Sequence, residues 1–97
     1  MTERAEITVQ ENAGQRRYEA SIEAGVVAGF AEYRDLGGVR VFTHTEVDDA
    51  YEGQGIGSAL ARGALDDVRD RGMTLRAKCP FIKSYIENHP EYADLQA

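Results

Sequence analysis

The sequence has little of what staples, anchors or metallates a small protein. It holds a single cysteine, Cys79, so no intramolecular disulfide can form and a stapled secreted scaffold is excluded. Its two histidines, His44 and His89, stand at no familiar ligand spacing to that cysteine, and no metal site is expected. Two prolines and ten glycines are too few for a low-complexity or collagen-like chain. Positive charge is also in deficit, with eleven Lys and Arg against seventeen Asp and Glu, a net charge of −6 and a sequence pI near 4.8. That argues against a nucleic-acid partner held by a broad basic face. The longest uncharged, mostly apolar run, Gly25 to Ala31, is far short of a membrane span. The opening residues Met1 to Glu6 lack the apolar stretch of a signal peptide. A cytoplasmic protein with no membrane partner is the expectation.

What is present is an ordinary globular composition. The 97 residues are 42% hydrophobic and 29% charged, which suits one domain over residues 1–97 that buries roughly 60–65% of its unfolded surface. The first half reads as strands. An alternating segment begins at Ile7 and Val9 and breaks at the turn Asn12-Ala13-Gly14. Tyr18, Ala20 and Ile22 alternate with Glu19, Ser21 and Glu23, a half-buried pattern. Ala24-Gly25 suits a tight turn before a strand from Val26 to Tyr33, and Asp35 to Gly38 marks another hairpin. Val39 to Val47, β-branched and aromatic, is the best strand segment.

The texture changes after Asp48. Ile56, Ala59, Leu60, Gly63, Ala64 and Val68 recur at helical spacing between Gly55 and Arg71, with Gly72 as the stop. Asp66, Asp67 and Asp70 read as the solvated face of that helix. Met73 to Ala77 suits a short strand, and Pro80 opens a second helix, Phe81 to about Asn88, that must end before His89-Pro90. The expected order is β-β-β-β-α-β-α. A crossover built on an antiparallel meander makes a mixed, mostly antiparallel sheet with two helices, an α/β (α+β) domain.

Between the strongest strand and the strongest helix lies Tyr51-Glu52-Gly53-Gln54-Gly55-Ile56-Gly57-Ser58. Alternating glycines let backbone approach a ligand closely, and the helix behind them offers unpaired N–H groups suited to a phosphate or pyrophosphate. The plainer reading is a tight turn. No lysine follows in the manner of a P-loop. The position that should be the third glycine of a dinucleotide fingerprint is Ser58.

The stretch from Val47 through Glu52, Gly53, Gln54, Gly55, Ile56, Gly57 and Ser58 to Leu60 resembles motif A of the GNAT N-acetyltransferase superfamily, signature R/Q-x-x-G-x-G/A. Cys79-Pro80-Phe81-Ile82, Tyr85-Ile86, His89-Pro90-Glu91-Tyr92 and His44-Thr45-Glu46-Val47 are similar to its small, single-domain YjdJ-type branch. The likeness runs through nearly the whole chain, most strongly from Val41 to Leu95. It implies a minimal GNAT-like fold in which the strands 39–47 and 73–77 splay apart around acetyl-CoA. Pantetheine would bond to backbone near Thr45 and Val47, and the pyrophosphate would rest on amides of Gly53, Gln54, Gly55, Ile56, Gly57 and Ser58. Where the family usually has Arg or Gln, this chain has Glu52, with Asp48 and Asp49 close by. Exposed acids there cost of the order of a kcal/mol, which Lys83 or Arg62 would offset.

The implied reaction is acetyl transfer to a primary amine. By the resemblance, Tyr85 would protonate the departing CoA thiolate, since a phenol is a suitable donor; otherwise Tyr85 is an aromatic that packs a helix. Cys79, before a helix N-terminus, is either a thiol that takes part beside the thioester or an inert buried side chain. His44 and Glu46 share one strand face with Phe42 by simple alternation, and either would be a general base, His44 the better matched; otherwise they are a core histidine and an exposed glutamate. His89 reads as packing or capping at a helix end. Family members usually carry two helices between their first strands as an acceptor wall, and this chain has no room for them. The acceptor site is expected to be open, for a protein or peptide amine, cationic by the surface charge, in a monomer or weak homodimer. The rival readings are a non-catalytic CoA-binding or partner-binding module and a plain interaction domain.

Overall fold

The computed structural model describes residues 7–22 and 25–97; the Met1 to Glu6 lead and Ala24 of the Ala24-Gly25 turn lie outside them. The elements follow the expected order: β1 (Ile7–Asn12), β2 (Arg17–Ile22), β3 (Val26–Leu36), β4 (Val39–Val47), α1 (Ile56–Asp70), β5 (Thr74–Ala77) and α2 (Pro80–Asn88). Short 3-10 turns occupy Ala13–Gln15, Asp49–Tyr51 and Pro90–Leu95. The five strands lie in the order β1-β2-β3-β4-β5, antiparallel except for the parallel β4–β5 pair. Only that last connection is a crossover, and α1 makes it. This is the small GNAT-like mixed sheet that the motifs imply.

Both helices pack on one face of the sheet. α1 sends Ile56, Leu60, Ala61, Ala64, Leu65 and Val68 into the core, and α2 adds Ile82 and Ile86. They meet Tyr18, Ala20, Ile22, Tyr33, Phe42 and Leu75 from the strands. Leu60, Leu65, Phe42 and Leu75 are wholly excluded from water, so each contributes about 1.5–3 kcal/mol of burial. Among the described residues no helix covers the opposite face.

One irregularity corrects a reading made from alternation. Tyr33 pairs with Phe42, but Glu32 pairs with His44, so Thr43 is an extra residue in β4. A bulge of this kind resets which face each later side chain takes. Phe42 is fully buried under the helices, while His44 and Glu46 are exposed on the open face. They do share a face with each other, but not with Phe42, and His44 is not a core histidine.

A second correction concerns the acids of α1. Asp67 accepts from the Tyr18 hydroxyl at 2.6 Å and from Arg71 Nε at 2.8 Å. Asp66 accepts from the Tyr92 hydroxyl at 2.7 Å. These two carboxylates tie the helix to β2 and to the C-terminal 3-10 turn; Asp67 is half-buried, while Asp66 and Asp70 stay exposed on the solvated face.

Candidate active site

The gap that defines the site opens at Phe42. Parallel pairing between β4 and β5 runs from Val39↔Thr74 to Phe42↔Ala77 and then stops. The Phe42 carbonyl accepts from both Lys78 N and Cys79 N at 3.0 Å. After that, β5 turns away into α2 and, among the described residues, β4 runs on without a neighbour on that side. Asp48 N donates to the Ala28 carbonyl of β3 at 2.8 Å. Because strand amides alternate in direction, the N–H and C=O of Val47, and of Thr45 before it, point away from β3 into the gap.

The glycine loop closes the open end. Gly53 and Gly55 sit at φ +83° and +81°, a region costly to any residue with a Cβ. A Cβ at either would meet nothing within 4 Å, so their surroundings are open. Gly55 is the N-cap of α1 with no side chain capping it, and the first helical bond is Ala59 N to Gly55 O at 3.0 Å. The N–H groups of Ile56, Gly57 and Ser58 therefore have no intrahelical acceptors, which makes an anion seat. Gly57 serves a different need: a Cβ there would lie 2.7 Å from Phe81 Cζ. Its bareness lets the ring of Phe81 lie against the start of α1. Phe81 is 41% exposed and off the Ile82/Ile86 stripe of its helix; that misplaced aromatic was the signal that it borders the site.

Asp48 does not crowd this seat. Its carboxylate caps the Asp49–Tyr51 turn by accepting from Ala50 N at 2.9 Å. Glu52, Gln54 and Ser58 are exposed. Lys83 is exposed on α2, two residues beyond Phe81.

Cys79 lies at the apex of the gap, 3% exposed, its Sγ 3.2 Å from Thr45 Oγ1. The two side chains bridge the splayed strands at their divergence. Tyr85 lies toward the other end of α2, stacked on His89 with ring centroids 3.9 Å apart and near Tyr92 at 6.2 Å. Burial holds its phenol above the usual tyrosine value, with Arg62 opposing. His89 Nδ1 bonds the Tyr85 carbonyl at 2.8 Å, so His89 packs at the helix end. On the open face His44 Nε2 is 3.6 Å from Glu46 Oε1, and its ring lies 6.1 Å from that of Phe30. The fold thus brings Cys79 to Thr45 and His44 to Glu46, and puts Tyr85 in an aromatic cluster of its own. Among the described residues no three His, Cys, Asp or Glu side chains are grouped as metal ligands, and no helix is long and apolar enough to cross a membrane.

A buried cluster outside this site escaped the sequence reading. Arg40, 4% exposed, grips Asp35 through two hydrogen bonds of 2.8 Å. It also reaches the Tyr18 hydroxyl at 2.7 Å and Glu11 at 3.1 Å. Its guanidinium lies 3.9 Å from the Tyr33 ring centroid. Arg40 stands two residues before Phe42, hence on the same buried face, which was the signal available.

Comparison with known proteins agrees with this geometry. Residues 17–95 match the family described as GCN5-related N-acetyltransferase. The chain is 43% identical over 47 residues to Protein NATD1 of Gallus gallus, covering 48% of this chain and 43% of that one. It matches Protein NATD1 of Homo sapiens at 43% over 47 residues, covering 48% and 42%. The matched stretch thus spans less than half the length of these curated relatives. A GCN5-like protein from Staphylococcus aureus superposes with a TM-score of 0.68 at 23% identity, over 99% of this chain and 91% of that one. A ribosomal-protein alanine N-acetyltransferase from Escherichia coli superposes at 0.56 with 28% identity, over 64% and 41%. With its splayed parallel strands, glycine loop and matched sequence, the chain belongs to the GCN5-related N-acetyltransferases.

Proposed function

We propose that this protein binds acetyl-CoA in the gap between β4 and β5 and transfers its acetyl group to a primary amine of a protein or peptide. The observation that carries the reading is the meeting of two features at one place. The strands part beyond Phe42, and the uncapped N-terminus of α1 stands at the open end of that gap.

The residues present fit such a ligand. Amides of Gly53 to Ser58 suit a pyrophosphate, and no side chain of Gly53 or Gly55 intrudes. Backbone groups of Thr45 and Val47 suit the amides of pantetheine, and Phe81 offers an apolar wall beside the α1 N-terminus. Lys83, exposed two residues beyond Phe81, supplies positive charge on that side, whereas Arg62 acts on Tyr85. Acetyl-CoA contributes a thioester open to attack by an amine: a C–N bond forms, the C–S bond breaks, and the thiol leaves with a proton. Of this chain's groups, Glu46 or His44 would take the proton of the incoming amine from the open face. An amide of β4 facing the gap would hold the carbonyl oxygen. Cys79, at the apex, is the nearer proton donor to a thiolate there, and Tyr85 the more distant one. A protein acceptor is supported by the uncovered face and by the Escherichia coli neighbour, which is named for acetylating ribosomal-protein alanine.

Thermal unfolding with and without acetyl-CoA tests the binding step. A ligand specific for the folded state stabilises by about 2.7 kcal/mol at a hundred times its Kd. An unchanged transition at millimolar acetyl-CoA would overturn the proposal. Free-thiol release with a panel of amines then separates transfer from binding: stabilisation without amine-dependent release leaves a non-catalytic CoA-binding module.

A further inference from the structure

The open face of the sheet is divided by charge. At the loop end a hollow of about 490 Å³ is lined by Glu46, Asp48, Asp49, Phe30 and Arg17. Over the paired part of β4 and β5 lies a second hollow of about 390 Å³, whose floor is Val39, Val41 and Leu36 and whose charged groups are Arg34, Arg76 and Lys78. Among the described residues no acid lines this second hollow, in a chain whose net charge is −6.

These cations are not used by the fold. Arg17, Arg40, Arg69 and Arg71 all pair with carboxylates. Among the described residues Arg34, Arg76 and Lys78 pair with none. Arg34 and Arg76 flank Val41 across the two strand ladders, and their stems leave Val41 only 5% exposed. Their charged ends therefore stand around an apolar floor. Leu36, 67% exposed, extends that floor outward.

We propose that this groove reads the acceptor: it takes an extended peptide whose reactive amine enters at Glu46 and whose acidic side chains, two to four residues further on, lie over Lys78, Arg76 and Arg34. The proposal rests on the acetyl-transfer reading of the gap. The spacing follows from strand geometry. Lys78 lies level with Phe42 and Arg76 with Val41, about 7–13 Å back along β4 from Thr45 and Glu46 at roughly 3.3 Å per residue, the bulge at Thr43 counted as one step. An extended peptide laid along the seam covers that distance in two to four residues. Acidic side chains there are complementary to the groove, whereas the overall negative charge taken alone would have favoured a cationic acceptor.

The test uses three labelled ten-residue peptides with a free N-terminal amine and Glu, Ala or Lys at positions three to five. Binding is read by fluorescence polarisation without acetyl-CoA, and transfer is read separately by thiol release. The Glu peptide should bind on the order of tenfold more tightly than the Ala peptide, the sum of a few partly screened ion pairs, and should lose that advantage in high salt. Charge reversal in Arg76→Glu with Lys78→Glu should turn the preference toward the Lys peptide. Lys78→Glu alone, at an exposed position, should reduce the preference at least threefold if the double variant does not fold. Equal binding of the three peptides overturns the proposal, as does a preference that survives Lys78→Glu. It is overturned too if a single-stranded oligonucleotide of equal charge, or a second copy of the chain, occupies the groove more tightly than the Glu peptide. Acidic preference without transfer removes the acetyl-transfer reading and keeps the groove. Transfer without acidic preference does the reverse.

Discussion

At Gly55 and Cys79 single atoms decide what the gap can hold. A valine at Gly55 must take a φ of +81°, which costs roughly 1–2 kcal/mol, and its branches would fill the space above the N–H groups of α1. Gly55→Val should lower the melting temperature by several degrees and abolish stabilisation by acetyl-CoA; unimpaired stabilisation would remove the glycine loop from the site. Gly57→Ala separates packing from backbone strain, because its methyl meets the Phe81 ring at 2.7 Å while its backbone needs no unusual conformation. Cys79 is buried against Thr45 at the divergence of the strands. Cys79→Ala should cut turnover more than acetyl-CoA binding, measured by thiol release and by thermal shift. Equal turnover in the variant would take Cys79 out of the mechanism.

Among the elements, β4 carries most of the design. Its first part is a regular inner strand between β3 and β5, and its second part is half-free. The bulge at Thr43 marks the change. Deleting Thr43 would remove the extra residue and make Tyr33–Phe42 and Glu32–His44 successive pairs, so His44 and Glu46 would keep the open face. The variant should keep a cooperative thermal transition, read by circular dichroism. Loss of that transition would mean that the extra residue is needed to carry β4 past the departing β5. Hydropathy made β4 the most legible strand in the chain, yet alternation failed inside it. A bulge is set by pairing with β3 and by the departure of β5, and neither leaves a local signature. α1 shows the complementary case. Its apolar stripe was readable, but Asp66 and Asp67 looked like solvent-facing acids because their tyrosine partners, Tyr92 and Tyr18, are 26 and 49 residues away.

The molecule as a whole is held at the end away from the gap by ion pairs around Arg40. Arg40 joins β4 to Asp35, Glu11 and Tyr18, and Asp67 and Arg71 extend the cluster to α1. Arg40→Met would leave the exposed Asp35 unpaired and Glu11 with Arg71 alone, and should cost about 1.5–3 kcal/mol, a large part of a small domain's stability; urea unfolding at neutral pH measures it. The Arg40 guanidinium holds the Asp35 carboxyl below its usual value, and Arg17 does the same for Glu19. Folded values below the unfolded ones stabilise above the ordinary carboxylate range. Stability should therefore fall as acid takes the pH below about 4 and through those lowered values. The opposite limb belongs to Tyr33 and Tyr92, pushed up to about 12 by burial and by hydrogen bonds to Glu11 and Asp66. Their stabilisation is complete below the ordinary phenol value near 10 and is lost as pH rises from there through about 12. Melts across pH should show both shoulders, with the alkaline one reduced in Tyr33→Phe.

From the sequence alone came the order of elements, the position of the glycine loop and the likeness that placed the chain among acetyltransferases. Those features are local: they rest on periodicity within a segment and on residue types needed at a turn. The tertiary structure alone decided where the strands part, which face His44 and Glu46 take, why Gly57 is bare and what Arg40 holds. Each of these is a meeting of residues distant along the chain, settled by packing and pairing. The same holds for the charge. The −6 of the sequence is a sum, and folding arranges its terms into an acidic hollow and a cationic groove on one open face.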